Sequence, residues 1–319
     1  MISLELAIPA FIIGIIFLWK GSDVLVDGTS KAAAQLGIST LIISVLLVGF
    51  GTSAPEFAIS IGAAYQGNSG ISLGNVIGSC VANLLLVLGI ASIIKPIKIK
   101  KGIIKREAPI MLGATVVLLI AAYIGLLDEY HLIGGIVFLI LFVLFVYFFI
   151  CCARKERDGS KKIDTGKTTK NLLFIILGIV GVVAGAWLLI ESAVCFADYL
   201  GVPAFVIAIS LVAVGTSLPE LVVSSVASYK DESDIAIGNV LGSNVFNILM
   251  IIGAAALFIP LQANLAESLS HIWILLAVTL IIFPILYTGR KITRLEGVFM
   301  LAIYSVFIWY TFIGYNLLF

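Results

Sequence analysis

Apolar residues in this chain fall in long unbroken runs, not in the alternating or helical-period stripes of half-buried elements. The plainest runs are 6–19, 111–127, 132–150, 172–190, 272–287 and 298–319, none of which contains a charged residue. A hydrocarbon layer roughly 30 Å thick demands such lengths of a spanning helix. Lipid offers the backbone no partner, so only helices and closed barrels cross it, and a barrel would alternate in segments of about ten residues. Cutting at polar clusters predicts ten spans, over 6–26, 37–64, 71–94, 108–127, 131–152, 171–196, 203–228, 235–260, 269–288 and 295–318. The one long polar connection, ARKERDGSKKIDTGKTTK at 153–170, reads as a flexible linker. Composition agrees: 61% hydrophobic and 12% charged residues, with a mean hydropathy of +1.19, leave too little polar surface for a soluble domain of this length.

Placement of charge turns the spans into a topology. If the spans alternate, all 19 Lys and Arg fall on one side, most of them between spans three and four and in the linker. The other side holds Asp128, Glu129, Glu191, Asp198 and Glu267 and no basic residue. The positive-inside rule then makes the linker cytoplasmic and both termini external, in a multi-pass protein of the plasma membrane. Residues 1–10 contain Glu5 and no Lys or Arg, unlike a secretory signal, so the first run is expected to be a retained span. No basic stripe points to nucleic acid. Cys80, Cys151, Cys152 and Cys195 lack zinc or redox spacing, and His131 and His271 are too few for a histidine-built metal centre.

The chain repeats itself. GISTLIISVLLVGFGTSAPE at 37–56 matches GVPAFVIAISLVAVGTSLPE at 201–220, and ISLGNVIGSCVANLLLVLGIASI at 71–93 matches IAIGNVLGSNVFNILMIIGAAAL at 235–257. Both blocks share an offset of 164 without a gap. Chance likeness between apolar helices preserves Leu, Ile and Val; it does not preserve Thr, Ser, Pro, Glu and Asn in order. The expected architecture is an all-α membrane protein with two five-helix repeats, 1–152 and 171–319, joined by the linker 153–170. An odd number of spans per copy inserts the second copy upside down, the arrangement of secondary transporters with a midplane site between the copies.

Glu56 and Glu220 fall inside the second and seventh spans, at equivalent positions. A charged carboxylate there costs ~2.5–3.5 kcal/mol on insertion scales, and a duplicated one with duplicated oxygen donors argues for a cation site. Thr52 and Ser53 precede Glu56 by four and three residues, as Thr216 and Ser217 precede Glu220, a spacing that puts the Thr hydroxyl and the carboxylate on one helical face. Pro55 and Pro219 remove a donor and free the carbonyls of Gly51 and Gly215. The second block adds Ser79, Asn83, Ser243 and Asn247, which serve either the ion or interhelical packing. Oxygen donors without sulfur or imidazole suit hard cations such as Ca²⁺ or Na⁺. Asp27 and Glu191, also related by the offset, are expected in helix-end or solvated roles, and Cys151 and Cys152 as ordinary interfacial residues.

GTSAPE and GTSLPE, followed by GNVIGSCVAN and GNVLGSNVFN, resemble the two α-repeats of the Ca²⁺/cation antiporter superfamily, and within it the microbial sodium/calcium exchangers. The resemblance covers the whole chain. It implies that Glu56 and Glu220 share a central divalent ion and that Thr52 and Thr216 add oxygens. It further implies flanking Na⁺ sites on Ser53, Ser217, Ser79, Ser243 and the carbonyls of Gly49 and Ala213, with Asn83 and Asn247 as the central polar pair. Asn247 stands where the potassium-dependent branch carries Asp, which counts against potassium co-transport and leaves the site at −2.

The expected function is therefore Na⁺/Ca²⁺ antiport by alternating access, with Ca²⁺ and Na⁺ as cargo, no cofactor, and a monomer as the working unit. H⁺ in place of Na⁺ is the alternative counter-ion. A cation channel is a second class, disfavoured by the inverted repeat and the doubly acidic site. An intramembrane enzyme is a third, disfavoured because no nucleophile–base set accompanies the two Glu.

Overall fold

The computed structural model describes residues 4–100, 102–156, 165–199, 213–263, 266–288 and 290–318. They form helices α1 (Leu4–Leu36), α2 (Thr40–Thr52), α3 (Ala54–Tyr65), α4 (Ser69–Ile94), α5 (Ala108–Tyr123), α6 (His131–Glu156), α7 (Thr165–Tyr199), α8 (Ala213–Thr216), α9 (Leu218–Tyr229), α10 (Ser233–Ala256), α11 (Ala266–Thr288) and α12 (Arg294–Leu318). Among the described residues six helices are long and apolar enough to cross a membrane, and the bent pair α2–α3 makes a seventh. The start of the expected seventh span, including residues 201–212 of its motif, lies outside the described residues.

Burial ranks the helices. Of their most apolar stretches, 94% is buried in α10 and 72% in α4, against 22% in α1 and 17% in α6. So α4 and α10, which carry the second repeat blocks, form the centre, while α1 and α6 turn Ile8, Ile12, Trp19, Ile133 and Val143 outward, to where lipid belongs. Helix contact at the centre depends on missing side chains. A Cβ on Gly242 of α10 would lie 2.5 Å from the Val45 carbonyl oxygen of α2, and one on Gly49 would lie 2.8 Å from the Ser243 nitrogen. The α1–α7 seam is built the same way: a Cβ on Gly178 would sit 2.7 Å from Leu25. Apolar side chains gain little by leaving lipid for protein, so close backbone approach through small residues supplies the attraction.

Several expected boundaries move. The second span is not one helix: α2 and α3 meet at Ser53 with a bend of 47°. Pro55, at the start of α3, has no N–H to continue the ladder, and Ser217 with Pro219 breaks α8 from α9 at the equivalent place. α2, α4 and α10 also contain wider π turns, over Ser44–Val48, Asn83–Val87 and Phe246–Ile251. α1 runs ten residues past its expected end at 26, because its polar tail finds partners outside the apolar layer: Lys230 lies 2.6 Å from Asp23 and 2.7 Å from Asp27, and Ser30 donates to Glu232 at 2.6 Å. The hydrogen bond from Lys230 holds the Asp27 carboxyl below its ordinary range. Burial opposes the charge on Lys230, but its bonds to Asp23 and Asp27 prevail and raise its pKa. Helix enters the stretch 153–170 from both sides. α6 reaches Glu156 and α7 begins at Thr165, since Glu156 accepts from the Ser39 N–H and from Arg106.

Two clusters mark the ends of the molecule. At one, Lys95 pairs with Asp231 and Lys100 with Asp234, and β1 (Ile97–Lys98) pairs antiparallel with β2 (Lys291–Ile292), Ile97 opposite Ile292. At the other, Leu261, the 164-residue counterpart of Ile97, donates its N–H to the Leu127 carbonyl at 2.9 Å, and Asp128 accepts from the Ala263 N–H. Tyr123 and Trp273 stack edge-on beside this second cluster.

Replacing Gly242 by Val is expected to force α2 and α10 apart, at roughly the 1–3 kcal/mol of an overpacked core. Gly113, with open space around its Cβ position among the described residues, serves as the control. Melting temperatures in detergent should fall for Gly242→Val and not for Gly113→Val. Equal losses would remove the close approach as the reason.

Candidate functional site

The two helix breaks face each other across the centre. At each break a serine occupies the turn, Ser53 with φ −79° and ψ 10° and Ser217 with φ −86° and ψ 5°. Each then reaches into the other half. Ser53 Oγ donates to Glu220 Oε1 at 2.9 Å, and Ser217 Oγ donates to Glu56 Oε1 at 3.3 Å. This exchange of donors is the structural core of the site. It also brings Glu56 and Glu220, both wholly buried, into one polar pocket.

Other predicted residues gather around them. Ser243 Oγ lies 3.1 Å from both Glu220 Oε1 and the Gly49 carbonyl oxygen. Thr52 Oγ1 donates to Asn239 Oδ1 at 3.0 Å, with Gly49 O and Ser243 Oγ each at 3.4 Å. Ser79, Asn83, Thr216 and Asn247 are at most 2% exposed. Ala213 opens α8, and its side chain lies outside the description. Spacing alone put the Thr52 hydroxyl beside Glu56. The structure instead turns it toward Asn239 and Ser243 of the second half, because the chain breaks one residue later and α3 leaves at a new angle. Asp27 sits in the ion-pair cluster with Lys230, away from these carboxylates.

What the site lacks is partners. Glu56 Oε2, Glu220 Oε2 and Asn83 Oδ1 are buried without a hydrogen bond of ordinary geometry, and so are Ser79 Oγ and the Asn247 amide, which have the Glu56 carboxylate and the Cys80 sulfur beside them. Buried polar groups are nearly always paired, and an unpaired one costs ~1–3 kcal/mol, more when charged. A set drawn from both repeats and consisting almost wholly of oxygens is what a desolvated hard cation requires. Carboxylate, hydroxyl and amide oxygens with buried carbonyls nearby can replace its hydration shell.

Three residue pairs had escaped the sequence reading. Asn239 Nδ2 donates to Ser224 Oγ at 3.0 Å and to the Glu220 carbonyl oxygen at 3.4 Å. Asn75 Nδ2 does the same with Ser60 Oγ at 2.9 Å and the Glu56 carbonyl oxygen at 3.3 Å. These amides tie each glutamate-bearing helix to the helix after it. The signal was present, since Asn75 with Asn239 and Ser60 with Ser224 obey the 164 offset. The third pair, Cys80 and Asn244, differs between the copies: Asn244 Nδ2 donates to the Cys80 carbonyl oxygen at 3.1 Å.

Comparisons with known proteins identify the family. The profile of the family described as sodium/calcium exchanger protein matches residues 6–151 and 170–313. The sodium/calcium exchanger MaX1 of Methanosarcina acetivorans is 33% identical over 335 residues, covering 93% of this chain and 96% of that protein. The inner membrane protein YrbG of Escherichia coli is 31% identical over 315 residues, covering 95% of each. A solved structure of the sodium-calcium exchanger NCX_Mj, soaked with Na⁺ and Sr²⁺, superposes with a TM-score of 0.84 at 33% identity, over 97% of this chain and 98% of that one. A family profile spanning both halves, with relatives and a structure matched nearly end to end, places this chain in the sodium/calcium exchanger family of membrane cation antiporters.

Proposed function

We propose that the chain exchanges Na⁺ for Ca²⁺ by alternating access, at a midplane site shared by Glu56 and Glu220 between two inverted five-helix repeats, 1–152 and 171–319. The observation that carries this reading is the set of unpartnered buried atoms contributed by both repeats. A free carboxylate oxygen in a layer without water is costly unless a cation arrives to meet it. In this reading Ca²⁺ sits between Glu56 and Glu220 with Thr52 and Thr216, while Ser53, Ser217, Ser79, Ser243 and the carbonyls of Gly49 and Ala213 serve Na⁺. Asn83 and Asn247 complete the centre. The relatives' printed names support Na⁺ and Ca²⁺ as the cargo, and NCX_Mj crystals were soaked with Na⁺, Ca²⁺ and Sr²⁺.

Alternating access requires an element that touches the site from both halves. α7 is such an element: a Cβ on Gly51 would strike Ile179, and one on Gly215 would strike Ile190. α1 packs along α7 through the glycine seam, so the pair can slide as a unit past the two motif turns. The single chain holds both halves of the site and acts as a monomer. Its basic end faces the cytoplasm of the plasma membrane.

Charge sets the drive. Two carboxylates neutralise one Ca²⁺, whereas three Na⁺ leave one positive charge, so each cycle moves one charge and the potential contributes ~2.3 kcal/mol per 100 mV. In proteoliposomes, an outward Na⁺ gradient should drive ⁴⁵Ca²⁺ uptake, and an inside-positive potential should speed it. Glu56→Gln and Glu220→Gln should each abolish the flux with the protein still folded, since one carboxylate then faces a divalent ion at low dielectric. Full flux in either variant removes that glutamate from the site. Uptake driven by a pH gradient without Na⁺, with none from a Na⁺ gradient, assigns the counter-ion to H⁺.

Orientation has its own check. In a background without the native cysteines, single cysteines at Gly70 and Glu129 should react with an impermeant thiol reagent on intact cells, and one at Ser160 only after lysis. Labelling at 160 on intact cells would reverse the proposed topology.

A further inference from the structure

Among the buried positions at which the two copies of the second block differ, one lies beside the candidate ligands. The first carries Cys80 where the second carries Asn244, and the next residue but two is in each case a candidate ligand amide, Asn83 or Asn247. Asn244 makes two short directed contacts, with Met111 Sδ a longer third at 3.9 Å from its Nδ2. Its Nδ2 donates to the Cys80 carbonyl oxygen at 3.1 Å, which fixes the amide plane. Its Oδ1 then accepts from Asn83 Nδ2 at 3.1 Å. Asn83 therefore has its NH₂ engaged away from the ion, and its Oδ1 is left buried without a partner. On the other side the Cys80 thiol points to the Asn244 carbonyl oxygen at 3.9 Å, and the Asn247 amide, without a hydrogen bond of ordinary geometry, has the Cys80 sulfur beside it.

This matters because an amide has two faces of opposite sign. Its oxygen attracts a cation, whereas its NH₂ group repels one, and rotation about the last bond interchanges them. A ligand amide free to turn meets an arriving ion in the wrong sense part of the time. One whose NH₂ is already hydrogen-bonded presents oxygen throughout, and the ordering cost is met at folding and not at binding.

We propose that Asn244 is a positioning and specificity-determining residue: it commits the Asn83 amide to act as an oxygen donor, while Asn247 has only the weaker sulfur of Cys80 to orient it. The inference rests on the reading of Asn83 as an ion ligand. It makes the two halves of the site unequal. Asn83 favours whichever cargo gains most from a fixed neutral oxygen, which is the more tightly coordinated Ca²⁺.

The test is a double-mutant cycle on the full chain in proteoliposomes, reading the Ca²⁺ concentration for half-maximal Na⁺-driven uptake, with Ca²⁺-induced thermal stabilisation in detergent as a readout independent of transport. Asn244→Leu keeps the size of the side chain and loses its hydrogen bonds to Cys80, Asn83 and Met111. With Asn83 present it should raise half-saturating Ca²⁺ by about tenfold, the equivalent of ~1.4 kcal/mol. In an Asn83→Asp background the same change should shift it by less than about twofold, because a carboxylate presents oxygen whichever way it turns. Equal shifts in both backgrounds, or no shift in either, overturn the proposal. Should Asn244→Leu not fold, Asn244→Cys takes its place, since the first copy already holds Cys at that position, and the same two outcomes decide. Asn83→Leu separates the layers of the argument. If it leaves Ca²⁺ affinity unchanged, the reading of Asn83 as a ligand fails; if it weakens affinity while the cycle shows no coupling, only the role of Asn244 fails.

Discussion

Two carboxylates buried where no water reaches are the constraint around which the rest of this protein is arranged. Glu56 and Glu220 are wholly buried, and each has one oxygen bonded and one without a protein partner. The bonded oxygen belongs to the fold: a serine from the opposite repeat donates to it. The other fits a cation. In the proposed function each carboxylate is thus divided between structure and cargo, so that the site would stay formed when an ion leaves.

Holding two such groups together requires backbone that can approach closely and turn sharply. The prolines after Ser53 and Ser217 end one helix and start another, which aims each serine across the interface. Gly49 and Gly242 let α2 and α10 touch at backbone distance, and this contact delivers Ser243 and the Gly49 carbonyl to the same spot. Asn75 and Asn239 then fasten each glutamate-bearing helix to its successor through a carbonyl and a serine. Each of these elements is polar or small, and each is placed where apolar bulk would cost the site its geometry.

The ends of the molecule are organised by a different force. Outside the apolar layer, ion pairs can hold long helix tails, as Lys230 does with Asp23 and Asp27. This pairing ties α1 of the first half to the turn after α9 of the second. It lies at the end where Lys95 and Lys100 meet Asp231 and Asp234. The same end carries the strand pair of Ile97 with Ile292, while its counterpart, Leu261 on Leu127, lies at the other. Equivalent residues of the two copies thus make similar contacts at separate ends.

The sequence by itself determined the class of protein, the doubled motifs and the polar groups that a site could draw on. Hydrophobic length reports directly on the thickness of the solvent layer, and polar residues survive duplication within apolar helices only under a shared constraint. Spacing and offset thus singled out Glu56, Glu220, their serines, Asn83 and Asn247 as duplicated polar positions, all of them buried in the structure. Partnership was not. Helical spacing grouped Thr52 with Glu56, whereas the break at Ser53 sends the hydroxyl to Asn239 and Ser243. Nor could spacing show that each serine serves the other half's glutamate, or that Asn244 holds Asn83 by its nitrogen. Those contacts join residues more than 150 positions apart, and only packing decides which groups meet there. Local pattern fixes what each helix offers; the angle at a proline and the room beside a glycine decide what receives it.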